Sequence, residues 1–136
     1  MEQMFLPAWA RYFIATVGAA AGYVFGGLDV LLKALIALAI IDYITGVSAA
    51  FFGKKLSSRV GLEGILRKTA MFAILAAANI TDNITGAGGA VRNAVCTFYC
   101  ANEGISILEN CEKLGVPLPE KIYLILQKLK EEKTDE

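Results

Sequence analysis

Apolar residues run through this chain in long blocks separated by short polar breaks, and the block lengths are those of helices rather than strands. Residues 12–28 carry no charge across 17 positions, about 25 Å as a helix at ~1.5 Å per residue. Gly26-Gly27-Leu28-Asp29 punctuates the chain, and residues 30–52 form a second block of 23 in which only Lys33 and Asp42 are charged. That length covers a hydrocarbon core of ~30 Å, which makes this block the strongest candidate to cross a membrane. Residues 53–68 read as a polar loop and residues 69–84 as an alanine-rich helix ending in Asn79, Asp82 and Asn83. Gly86, Gly88 and Gly89 then mark a short turn.

The next block, residues 92–111, is interrupted by Glu103 and Glu109, yet its polar positions are ordered. Arg92, Cys96, Tyr99, Glu103, Ser106 and Asn110 recur at steps of 4, 3, 4, 3 and 4, with Ala94, Phe98, Ala101, Ile105 and Leu108 opposite. Such a helix presents one face to lipid and the other to protein or water. The run from Leu114 to Pro119 breaks it, and Pro119 suits the first turn of a helix over residues 119–131. There Ile122, Ile125, Leu126 and Leu129 form an apolar face flanked by Lys121, Lys128 and Lys130, the pattern of a helix lying in a membrane interface, ahead of a charged tail. The fold expected is an all-α membrane protein with three to four transmembrane helices and a C-terminal amphipathic interfacial helix.

Composition agrees with this reading: 56% of the 136 residues are hydrophobic and 19% charged, with a mean hydropathy of +0.54, too apolar for an ordinary soluble domain. The 13 basic and 13 acidic residues cancel, so no global field recruits nucleic acid, and the charge message lies in distribution. Placing residues 53–68 in the cytoplasm, with 69–84 and 92–111 as successive spans, puts Lys54, Lys55, Arg59, Arg67, Lys68, Lys113, Lys121, Lys128, Lys130 and Lys133 on that side. Only Lys33 and Arg92 fall opposite. Arg11 alone depends on whether residues 12–28 span, so charge does not choose between three spans and four. A cleaved leader is the less favoured reading of residues 12–28, because Glu2 and the lone Arg11 make a poor basic start.

The chain has no His, and Cys96, Cys100 and Cys111 are an odd set without further metal-ligand partners. No phosphate loop or nucleophile elbow occurs, and a hydroxyl at Ser57 or Ser58 is not activated by the neighbouring Arg59. No catalytic residue, metal site or cofactor is therefore expected, and the protein is read as non-enzymatic. Gly18, Gly22 and Gly26 fall at four-residue spacing, a surface on which another helix can pack closely. Asp42 shares a helical stripe with Ala39, Gly46, Ala49 and Gly53. In mid-span its carboxylate either couples subunits or lines a lesion, or is capped within one subunit by Thr45 or a neighbouring helix. Glu103 poses the same choice, with Asn102, Ser106 and Asn110 as partners and Tyr99 on its stripe. Lys54, Lys55, Arg59, Arg67 and Lys68 are read as topology determinants and lipid headgroup contacts.

Several segments, in order, resemble the toxin-secretion and phage-lysis holin family. They are Asp42-Tyr43-Ile44-Thr45-Gly46, then Lys55-Leu56-Ser57-Ser58 with Gly61-Leu62-Glu63-Gly64-Ile65 and Arg67-Lys68, then Asn102-Glu103-Gly104-Ile105-Ser106-Ile107-Leu108-Glu109-Asn110 followed by Leu114-Gly115-Val116-Pro117-Leu118-Pro119. The resemblance covers about residues 28–130 and implies a holin, multi-pass in the cytoplasmic (inner) membrane, with the whole of residues 1–136 expected to form a single holin domain. It implies a homo-oligomer that permeabilises the lipid bilayer, with an endolysin or a large toxin as cargo and no specific cargo site. A small ion channel or transporter subunit, with Asp42 and Glu103 binding a cation or proton, is the competing class. A non-pore membrane interaction protein such as an antiholin is another.

The division of basic residues predicts a cytoplasmic C-terminus. A reporter active only outside the cytoplasm, fused after Glu136, should be silent, and activity from it would reverse the topology.

Overall fold

The computed structural model describes residues 6–132, over which the chain is helical and without strands. The described helices are α1 (Ala8–Phe25), α2 (Val30–Phe52), α3 (Ser58–Thr85), α4 (Ala90–Lys113) and α5 (Glu120–Glu132). The interfacial-face residues Leu126, Leu129 and Lys130 have side chains outside what is described, and Lys133 lies beyond residue 132.

α2 covers the longest apolar block. Asp29 fixes its start by accepting from the Leu32 N–H at 2.9 Å, and at Gly53 the N–H closes onto the Ala49 carbonyl at 2.9 Å. α3 departs from expectation, because it begins at Ser58 rather than at residue 69. The polar loop expected over 53–68 is thus a connector of residues 53–57, and its remainder is the first turns of a helix. Ser57 caps that helix by accepting from the Val60 N–H at 3.3 Å. Glu63 bridges Arg59 at 2.9 Å and Arg67 at 3.9 Å on its exposed side. In the connector Lys54 adopts φ +55°, the left-handed region, which lets the Lys54 and Lys55 N–H groups bond back to the Phe51 and Ala50 carbonyls.

Short connections make α2, α3 and α4 run up, down and up as a bundle. Its core is Leu32, Leu35 and Ala39 from α2, Met71 and Leu75 from α3, and Cys96 from α4. Phe25 packs against it, edge-on to Phe72 with ring centroids 6.1 Å apart. The stripe expected on α4 faces inward: Arg92, Cys96, Glu103 and Asn110 are buried, Tyr99 and Ser106 half-buried, and Phe98 opposite is exposed.

A polar clasp closes the bundle at the end where α1 meets α2 and α3 meets α4. Helix ends leave carbonyls and N–H groups without intrahelical partners, and here side chains supply them. Asn79 donates to the Tyr23 and Val24 carbonyls of α1 at 2.9 and 3.0 Å. Asp82 accepts from the Val91 and Arg92 N–H groups at 3.0 and 2.7 Å, capping α4 where Gly89 has no side chain to do so. The buried Arg92 guanidinium donates to Phe25 and Gly27 carbonyls and forks onto both Asp29 oxygens at 2.5 and 2.9 Å. Gly26 belongs to this clasp and not to a continuous glycine face. It ends α1 at φ +79°, and a Cβ there would sit 2.5 Å from Asn79 Oδ1. Gly18 and Gly22 stay on the helix with nothing within 4 Å, and α1 has no buried residue.

Only 17% of the most apolar stretch of α2 is buried, and α2 is the one described helix long and apolar enough to cross a membrane. A core helix of a soluble protein would hide that surface. Here Ile44, Phe51 and Phe52 are each more than half exposed.

The clasp carries a pH signature. The Arg92 hydrogen bond first, and the Leu32 N–H second, lower the Asp29 carboxyl from its ordinary 3.8 to about 2. A carboxyl depressed in the fold stabilises it fully above its unfolded value and loses that contribution as pH falls through the folded one. The stability gap between wild type and Asp29→Asn, followed by thermal unfolding in detergent, should therefore shrink from about pH 4 down to about pH 2. A gap constant across that window would contradict the clasp's charge pairing.

Candidate functional site

The site begins with stripes of small residues that let helices approach. On α2, Ala39 and Ala49 are buried, and a Cβ on Gly46 would lie 3.4 Å from Asn110 Nδ2 of α4. On α3, Cβ atoms on Gly64 and Gly61 would meet the Tyr43 ring at 3.3 Å and its hydroxyl at 3.4 Å. These contacts bring the middle of α2 between α3 and α4, and three charged side chains meet there.

Lys68 of α3 is the hub. Its ammonium donates to Asp42 Oδ2 of α2 at 2.6 Å and to Glu103 Oε2 of α4 in a short hydrogen bond. Asn110 Nδ2 completes the shell, donating to Asp42 Oδ1 at 3.0 Å and to Thr45 Oγ1 at 3.2 Å. Thr45 itself donates to the Ile41 and Asp42 carbonyls at 2.9 and 3.1 Å. Side-chain exposure is 17% at Lys68, 14% at Asp42 and 8% at Glu103. Two carboxylates and one ammonium leave the cluster with one net negative charge, and among the described residues no buried side-chain polar atom lacks a partner.

A cavity of about 710 Å³ runs from this cluster to the end of the bundle where α2 passes into α3 and α4 stops. Tyr99, Ser106, Gly46 and Ala49 line it beside Asp42, Glu103 and Asn110, and Lys55, Arg67, Glu109 and Lys113 also border it. The sequence candidates Asp42, Thr45, Tyr99, Glu103, Ser106, Asn110, Gly46 and Ala49 are therefore brought together, whereas Gly18 and Gly22 are remote. Lys54 and Arg59 are exposed and do not border the cavity.

Lys68 requires a correction. Grouped with the headgroup-contacting loop, it instead sits inside the bundle, because two interior carboxylates cost less with a cation between them than without one. A signal for it exists in the chain. Gly61, Gly64, Lys68, Met71, Leu75, Ala78 and Asp82 follow steps of 3, 4, 3, 4, 3 and 4, a single helical stripe that reading residues 53–68 as a loop cuts in two. Tyr43, seated on the α3 glycines, and Asp29, in the clasp, also went unassigned.

The cluster is an ion-pair network shared by three helices. Cys96, Cys100 and Cys111 are free thiols, and among the described residues no three His, Cys, Asp or Glu side chains are grouped to hold a metal.

Uncharacterized protein Lmo0128 of Listeria monocytogenes is 42% identical over 110 residues, 81% of this chain and 79% of that protein. Uncharacterized protein YqxH of Bacillus subtilis is 40% identical over 118 residues, 87% and 84% of the two chains. A probable holin of Bacillus phage phi105 is 41% identical over 100 residues, 74% and 73% of the two chains. No solved structure matches significantly. Residues 19–131 match the bacteriophage holin family, and with relatives at this identity the chain belongs to that family.

Proposed function

We propose that the protein is a working holin: it oligomerises in the cytoplasmic membrane and opens it, releasing an endolysin or a large toxin. α2, the apolar part of α3 and α4 cross the bilayer, the basic connector and the C-terminus face the cytoplasm, and α5 lies in the interface. α1 is a fourth span or an outer arm.

The observation that carries this reading is the Asp42–Lys68–Glu103 cluster midway along a helix of membrane length and apolarity, in a chain of the holin family. Charged groups at that depth persist only when paired or hydrated. In the single subunit they are paired, which describes a closed protomer. A lesion wide enough for a protein is lined by water, and there the same side chains become a hydrophilic wall. The protein thus stores polar lining inside its own bundle until assembly exposes it. Cargo passes without a binding site, because a lesion of that kind selects by size.

Asp42→Asn tests this. The substitution leaves Lys68 with Glu103 as a one-to-one pair and keeps the side-chain shape, so the protomer should persist. Insertion should not suffer, since a central charge costs ~2.5 to 3.5 kcal/mol on the translocon scale. The expected outcome is wild-type membrane level with altered onset of dye entry and altered release of a co-expressed cytoplasmic wall hydrolase. Wild-type timing at wild-type level would remove Asp42 from function and leave it a structural residue. Selective ion conductance by the unmutated protein, without hydrolase release, would replace the holin reading with that of a channel.

A further inference from the structure

We propose that the cavity between α2, α3 and α4 binds the phosphate headgroup of an anionic phospholipid from the cytoplasmic leaflet, an inference that rests on the membrane orientation given above. Its charges are arranged for an anion at the mouth. At the inner end Lys68 is taken up by Asp42 and Glu103. The other charged groups bordering the cavity are Lys55, Arg67 and Lys113 against Glu109, and with Glu63 facing Arg67 at 3.9 Å an excess of one cation remains, carried by the two lysines. Arg67 reaches toward the mouth, because helical side chains lean toward the helix N-terminus and its guanidinium lies by Glu63, one turn in that direction.

The mouth also lies at headgroup level. α2 spans 23 residues, about 35 Å as a helix, slightly more than a ~30 Å hydrocarbon core. Lys55, three residues after its last turn, and Lys113, the last residue of α4, then stand at the phosphate layer of the inner leaflet. Val47, Ala50 and Val60 add an apolar wall to the same cavity. A cationic rim beside an apolar wall fits an amphiphile better than a free ion, and about 710 Å³ accommodates a headgroup with its glycerol. Basic pockets between spanning helices on the cytoplasmic side are a known form of lipid recognition.

The test is native mass spectrometry of the full-length protein in detergent, titrated with phosphatidylglycerol and, separately, with phosphatidylcholine of the same acyl chains. Wild type should retain phosphatidylglycerol selectively. Lys55→Gln with Lys113→Gln should weaken that retention about thirtyfold. Lys54→Gln with Arg59→Gln, an equal charge change outside the cavity, should leave it near wild type. Circular dichroism of both double variants guards against misfolding, and all four positions are exposed. Equal weakening by both pairs would reduce the site to diffuse surface attraction and overturn the proposal, as would equal retention of the two lipids. Displacement by millimolar inorganic phosphate would overturn the lipid as the source of the phosphate group. Binding in detergent does not depend on sidedness, so a reversed topology reporter would refute the orientation while leaving this result to stand or fall alone.

Discussion

An ionised group inside an apolar helical bundle must find its counter-charge within reach, and that constraint organises this protein. Asp42, Lys68 and Glu103 come from three different helices, and none of them could be kept at that depth alone. Their meeting requires close helix approach, which is why Gly46 faces Asn110 and why Gly61 and Gly64 receive Tyr43. The cavity is part of the same arrangement, extending from the cluster to the end of the bundle.

The opposite end of the bundle solves a different problem. Arg92, Asp82 and Asn79 satisfy helix termini that short turns leave bare, and they tie α1 to the rest through its last residues. α1 is therefore fixed at one end, while its body, including Gly18 and Gly22, has no fully buried residue in the protomer. The two ends differ in kind: one satisfies helix termini with neutral and charged side chains, and the other holds the three-helix charge cluster.

Much of this was legible in the chain, and what was not has physical reasons. The apolar block of α2 is long enough that length alone identifies it, and the polar stripe of α4 shows its period because polar residues in an apolar helix mark the inward face. The start of α3 was hidden by its composition. Two glycines each lower helix propensity by ~1 kcal/mol relative to alanine, and a cluster of basic residues imitates a topology loop. The glycines are there for Tyr43, a tertiary contact that local pattern does not show. Lys68 followed the same course: a lysine closing a basic loop reads as a topology determinant and headgroup contact until its stripe is traced through Met71 and Leu75. Gly26 illustrates the reverse case, since regular spacing with Gly18 and Gly22 does not reveal that Gly26 itself turns left-handed and ends the helix.

The central claim is that Lys68 holds three helices together by its charge, and a set of substitutions measures this directly. Unfolding of the full-length protein in mixed micelles would be compared for wild type, Lys68→Met, and Lys68→Met combined with Asp42→Asn and Glu103→Gln. Lys68→Met leaves two interior carboxylates without their cation and should cost about 3 to 5 kcal/mol. The triple variant removes every charge while keeping similar volumes, and should recover most of that loss. A Lys68→Met protein as stable as wild type, or a triple variant as unstable as the single one, would contradict the account.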